Sequence, residues 1–230
     1  MFDPQKLLDQ FLGGQAGDGK KGGVSPDLIK GLAGGAVAGG LASILMGSKG
    51  GKKLAKGALK IGGAAVLGGL AYKAYQNWQA NKGAATTVPM GDMKDITPKA
   101  EGTPFLPAPK AERDELSLSL LRAMIAAAKA DGHIDADEQK RIFAKIDELA
   151  LDTEAKAFVF DELRKPLDID AVVRGATSPE AAVEVYAASA LAIDPDDPAE
   201  QSYLAMLASR LKLDPGLRAS VDQEVVKLRA

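Results

Sequence analysis

Apolar positions along this chain change their rhythm three times. Residues 2–12 place Leu7, Leu8, Phe11 and Leu12 on one side of a short amphipathic helix. Residues 31–48 then run for 18 positions without a charge, and residues 61–72 repeat that texture over 12. From residue 112 onward the spacing becomes densely helical. Leu116, Leu120, Met124 and Ala128 form one stripe of a helix ending at Asp131, with Leu121 and Ile125 beside it. A second helix over about 136–149 buries Ile142, Ile146 and Leu149. A third starts at Asp152 or Thr153, carries Phe158, Val159 and Leu163, and is stopped by Pro166. After a turn near 169–174, Ser178-Pro179 opens a long apolar helix through Val183, Val185, Tyr186 and Leu191 to Ile193. Its alanine richness predicts a central, closely packed position. Asp197-Pro198 and Asp214-Pro215 start the last two helices. No stretch alternates like a strand, so the expected fold class is all-α, with a C-terminal bundle of about seven helices.

Two acidic turns punctuate this pattern. In residues 127–138, Asp131-Gly132 is a helix exit, because glycine tolerates the left-handed backbone that a helix end needs. Asp135 is then a natural N-cap, with Glu138 three positions on, where it can reach back to the cap. Residues 190–200 repeat the device with Asp194, Asp196, Asp197 and Glu200: Asp197 caps and Pro198 takes the first helical position. Aligned on the glutamates, Ile142, Leu149, Leu151 and Asp152 fall opposite Leu204, Leu211, Leu213 and Asp214. This reads as a duplicated helix-turn-helix.

Composition divides the chain more sharply than its net charge of -2 implies. Residues 1–111 hold 22 of the 25 glycines and set 14 lysines against 7 acids, a net of +7; residues 112–230 set 15 basic against 24 acidic residues, a net of -9. The chain has no cysteine and one histidine, His133, which excludes disulfide scaffolds, cysteine nucleophiles and Cys/His zinc sites. A nucleophile–histidine triad would have to use His133, and no activated serine neighbours it. The chain is therefore expected not to be an enzyme. Gly14 to Lys20 nearly spells a P-loop, and Gly17, Gly19 and Gly22 have dinucleotide spacing. Both patterns need a preceding strand, and Lys21 stands where a P-loop needs Ser or Thr, so residues 13–25 read as a glycine linker.

The expected organisation has four parts: an amphipathic helix and glycine linker over 1–25, a glycine-rich membrane segment or hairpin over 26–80, a proline-rich linker over 81–111, and the helical domain over 112–230. At ~1.5 Å per residue, residues 31–48 cover roughly 27 Å, just short of a ~30 Å hydrocarbon core. Gly31, Gly35, Gly39 and Ser43 recur every fourth position, lining one face with small side chains so that another helix approaches closely. Gly62 and Gly69 serve the same packing in the second stretch, and Tyr72, Tyr75 and Trp78 suit an interfacial belt. Between the stretches Lys49, Lys52, Lys53, Lys56 and Lys60 form an acid-free cluster suited to anionic lipid head groups. Interleaved aromatics and arginines are missing from it, which argues against nucleic acid. The expected partners are the membrane, a second copy through the glycine face, and a protein partner for the acidic domain. If only the first stretch spans, the lysines place that domain in the cytoplasm; if both span, they place it outside.

The acidic turns carry two readings. If Asp131, Asp135, Glu138, Asp194, Asp196, Asp197 and Glu200 converge, their oxygen-only set suits calcium, magnesium or manganese. An EF-hand is excluded, since its sixth and twelfth loop positions are Ala136 and Ile142 here. The alternative is helix capping, which accounts for Asp135, Glu138, Asp197 and Glu200 but leaves Asp131, Asp194 and Asp196 over.

The paired turns, 130–138 and 193–200, inside a small all-helical domain resemble the TerB-like (tellurite-resistance) domain. The whole layout is similar to the YebE-like inner-membrane family of bacteria: a glycine-rich segment, a linker, then Ala-Lys-Ala-Asp-Gly-His-Ile-Asp at 128–135 and Glu-Gln-Ser-Tyr-Leu at 200–204. The resemblance covers 112–229 and, in outline, 26–80. It implies an acidic helical module at the bacterial inner membrane, tied to stress or tellurite response and to divalent-cation binding. A membrane co-chaperone family also joins a TerB-like domain to a glycine-rich anchor; its J-domain His-Pro-Asp tripeptide is missing here, so that activity is not implied. A structural membrane protein that oligomerises through its glycines, with the bundle as scaffold, is the alternative.

Overall fold

The computed structural model describes residues 2–12, 63–82, 93–130, 146, 151–193 and 197–229. Among them every regular element is helical: α1 (Pro4–Phe11), α2 (Gly63–Lys82), α3 (Met93–Ala100), α4 (Lys110–Ala127), α5 (Thr153–Arg164), α6 (Ile169–Arg174), α7 (Pro179–Leu191), α8 (Pro198–Arg210) and α9 (Pro215–Arg229). Residues 169–174, expected as a turn, close a short helix because the Asp168 carboxylate caps it, accepting from the Ala171 N–H at 2.9 Å.

The predicted caps hold elsewhere. Asp152 accepts from Ala155 N at 2.7 Å, and Ser178 from Ala181 N at 3.0 Å. Asp214 accepts from Gly216 N at 2.8 Å and Leu217 N at 3.3 Å. Asp152 and Asp214, matched by the internal repeat, thus perform the same local task.

α7 is the axis of the molecule. Every residue from Ala181 to Leu191 is buried, and α2, α4, α6, α8 and α9 all pack against it. Its alanines keep the helix thin enough for neighbours on every side, and a helix apolar all round is stable only in such a position.

α1 and α2 belong to the same core. Leu7, Leu8, Phe11 and Leu12 are buried with Leu67 and Leu70 of α2 and with Leu120, Met124 and Tyr186 of the bundle. α1 packs on α4 and α2. Gly63 lets α2 meet α1: a Cβ there would lie 2.9 Å from the Leu8 carbonyl oxygen. Asp9 on α1 accepts from Ala64 N at 3.2 Å, capping a helix 55 residues away.

α2 continues along α9. Lys73 Nζ lies 3.0 Å from a carboxylate oxygen of the buried Glu224, which also accepts from Asn77 and Lys227. Trp78 Nε1 donates to Asp214 Oδ1 at 2.9 Å and Lys82 Nζ to Oδ2 at 3.1 Å, and these bonds, with Lys82 first, hold the Asp214 carboxyl down at about 2. Of the aromatic residues expected at a membrane interface, Tyr72 meets the Phe105 ring at 5.9 Å and Tyr75 meets it at 5.5 Å, while Trp78 packs on Tyr75 at 5.5 Å. The second uncharged stretch, as far as it is described, is a core helix whose one polar flank is matched by α9. Gly69 is buried in it; Gly62 lies outside the described residues.

Part of the expected linker is also packed. Ile96, Ala100 and Phe105 are buried, and the 101–106 turn passes through Gly102 at φ +76, the left-handed region glycine accommodates without strain. No helix among the described residues is long and apolar enough to cross a membrane, and residues 31–48 lie outside them.

Candidate functional site

Of the seven carboxylates expected to converge, Asp131, Asp135, Glu138, Asp194 and Asp196 lie outside the described residues. The remaining two sit in one helix start. Asp197 Oδ1 accepts from Ala199 N at 2.8 Å and from Glu200 N at 3.1 Å, with Pro198 opening α8, so Asp197 acts as the cap that its spacing predicts. Among the described residues no three His, Cys, Asp or Glu side chains come together as a cation site. Gly31, Gly35 and Gly39, and Lys49, Lys52, Lys53, Lys56 and Lys60, lie outside the described residues as well.

The start of α8 borders a groove of about 550 Å³ between α8 and α9, floored by α7. That is within the ~300–1,000 Å³ typical of ligand pockets. Ala190, Ile193, Leu204 and Val225 supply apolar walls, Gln201 and Ser202 continue from the acidic cap, and Val226 on the α9 rim is 60% exposed.

Three polar side chains meet in the groove. The Tyr186 hydroxyl donates to Asp222 Oδ1 at 2.8 Å and accepts from Arg218 Nε at 3.1 Å; Arg218 and Asp222, one turn apart on α9, approach to 3.7 Å. Burial pushes the Tyr186 phenol well above its ordinary range, and the Asp222 charge and hydrogen bond push it further. Burial also raises Asp222, opposed by the hydrogen bond from Tyr186 and the Arg218 charge. A phenol so held keeps its proton at neutral pH and donates. The cluster sets one cation, one anion and one hydroxyl side by side, with the phenol held in its protonated, hydrogen-bond-donating form.

The cluster was invisible in the sequence because Tyr186 and Asp222 are 36 residues apart. One signal was present: Arg218 and Asp222 stand at i and i+4, which puts them on one face of the last helix.

Glu184 is the other residue that patterning passed over, although it is the single charge between Ala181 and Ile193. It is 1% exposed, its Oε1 finds no hydrogen-bond partner, and burial followed by the Glu180 charge raises its carboxyl well above the ordinary value. It shares a small cavity with Arg113, Ser117 and Leu120 of α4.

No solved structure matches the chain. An uncharacterized protein in the ampR 5' region of Yersinia enterocolitica is 30% identical over 112 residues, which is 49% of this chain and 81% of that relative. A larger span is matched by the family described as "Protein of unknown function (DUF533)", which takes in residues 31–225 and so covers α7 and all of the groove lining except Val226; the chain belongs to this family.

Proposed function

We propose that the chain is a non-catalytic, TerB-like binding module of the bacterial inner membrane, serving envelope or tellurite stress, and that the α7–α8–α9 groove is where it takes its partner. The observation that carries this is the groove itself. An apolar trough ends on a fixed Tyr186–Asp222–Arg218 cluster and begins at an acidic helix cap, which suits an amphipathic protein segment with basic residues at one end. The acidic turns offer negative charge either to the basic end of a partner or to calcium, magnesium or manganese. Residues 31–48 and the lysines from 49 to 60 supply the membrane tether.

Fractionation without detergent, followed by protease accessibility, tests the tether. The native protein should stay with the membrane pellet, and recovery wholly in the high-speed supernatant ends that part of the reading. For the groove, Ala205→Trp fills the trough. It should weaken binding to a basic amphipathic helix at least tenfold, the loss expected for about 1.4 kcal/mol, while the melting temperature of the protein stays within a few degrees. Unchanged affinity would remove the groove from consideration.

The glycine-face alternative keeps its own test. Gly35→Leu with Gly39→Leu should break membrane cross-links between copies if those glycines pack copy against copy.

A further inference from the structure

A second depression, separate from the groove, lies where the ends of α4 and α5 meet α6, with a volume of about 450 Å³. Among the described residues Arg122, Lys129, Lys165 and Arg174 line it against Glu162 and Asp168, four cations to two anions, a net of +2 for that described lining. The surrounding residues 112–230 have a net of -9, so this concentration of positive charge runs against its background.

The two carboxylates are already engaged. Glu162 Oε1 takes both Lys165 Nζ at 2.7 Å and Arg122 Nε at 3.3 Å. Asp168 Oδ1 caps α6, and its Oδ2 is 3.6 Å from Arg174, outside hydrogen-bond range. Among the described residues Lys129 makes no direct ion pair with a carboxylate: its ammonium donates to the main-chain carbonyls of Glu162, at 3.1 Å, and of Lys165. It is half-buried, and that burial lowers its pKa. An ammonium drawn partly out of water, with only peptide oxygens on one side, gains most from an anion on its open side.

We propose that this pocket binds a phosphoryl group, with Lys129 at its base and the guanidinium groups of Arg122 and Arg174 at its rim. The excess charge of +2 matches a phosphate monoester dianion, and planar guanidinium forks suit its paired oxygens. The walls favour an organic phosphate over the free ion. Ile125 and Val172 are buried at the side, and Leu167, 40% exposed, stands beside Pro166 at the edge. A lipid phosphate monoester and a soluble one share this chemistry.

The test uses the full-length chain titrated with inorganic phosphate and with glycerol phosphate, and sedimented with phosphatidylcholine vesicles with and without phosphatidic acid. Arg174→Gln and Lys129→Met should each weaken binding about tenfold, the loss of one charge-assisted hydrogen bond. Lys212→Gln, outside the pocket, should leave it unchanged. Arg174→Gln leaves every bond of Lys129 in place, so it reports on binding even if Lys129→Met unfolds. Binding of glycerol phosphate that these variants weaken identifies a soluble ligand, and variant-sensitive binding confined to phosphatidic acid identifies a lipid. Wild-type affinity in both variants, or no response to any of these phosphates at millimolar concentration, overturns the proposal and leaves the groove reading untouched.

Discussion

Glu184 concentrates the tension between packing and charge in this protein. Its carboxyl sits in the most buried helix, faces Arg113 and Ser117 across a small cavity on α4, and has Glu180 one turn behind it. In the unfolded chain it ionises near 4.5; in the folded chain it keeps its proton well above that value. Between those two points unfolding releases a proton, so this residue's contribution to stability falls as pH rises above 4.5 and stops changing only beyond the folded value. Glu184→Gln carries no such proton. Thermal unfolding from pH 4.5 to 8 should give a flatter decline for the variant and a higher melting temperature at pH 7, and parallel curves would show that Glu184 ionises freely. The residue was legible as an oddity, one charge in an apolar run. What the sequence lacked was the α4 wall that denies it water.

Glycines in α2 show how an element's composition fits two environments. Small residues let helices approach closely in a bilayer or in a protein core, and composition alone does not separate the two. In this fold the close approach is to the 101–106 turn: a Cβ on Gly68 would lie 2.4 Å from the Phe105 carbonyl oxygen, a main-chain atom that cannot swing aside. Gly68→Ala gains up to about 1 kcal/mol of helix propensity. It should nonetheless lose about 1–2 kcal/mol net, because overpacking costs roughly 1–3 kcal/mol and the turn must shift. A chemical melt of the purified protein measures this, and a neutral or stabilising effect would mean that α2 leaves the turn. The ion pair of Lys73 with Glu224 carries the same information: the lysine that ends the uncharged stretch is paired with a carboxylate 151 positions away. The α2 pattern thus showed that the helix packs, and not against what.

For the molecule as a whole, the bundle of residues 112–230 is one side of a shared core. α1 covers α4, α2 lies along α7 and α9, and Leu7, Leu8, Phe11, Leu67 and Leu70 are each at most 1% exposed. Losing one such leucine or phenylalanine typically costs about 2–5 kcal/mol, against a total stability of about 5–15 kcal/mol for a domain. Residues 112–230 expressed alone should therefore lose their cooperative thermal transition and bind a hydrophobic dye. A sharp melt at the temperature of the full chain would show that α1 and α2 are dispensable additions.

Local chemistry settled the helices. Asp152, Ser178, Asp197 and Asp214 each precede a helix in the chain and cap it in the fold, since a cap depends on residues two or three positions away. The all-helical class followed from periodicity for the same reason, and the central place of α7 from its alanine-rich composition. Contacts between distant stretches had no such local signature. That α1 and α2 join the bundle, that Tyr186 holds Asp222 and Arg218, and that Arg122, Lys165 and Arg174 gather beside Lys129 depend on which faces meet. Helix faces of similar polarity are interchangeable until packing, with its demand for filled volume and matched charge, selects one arrangement.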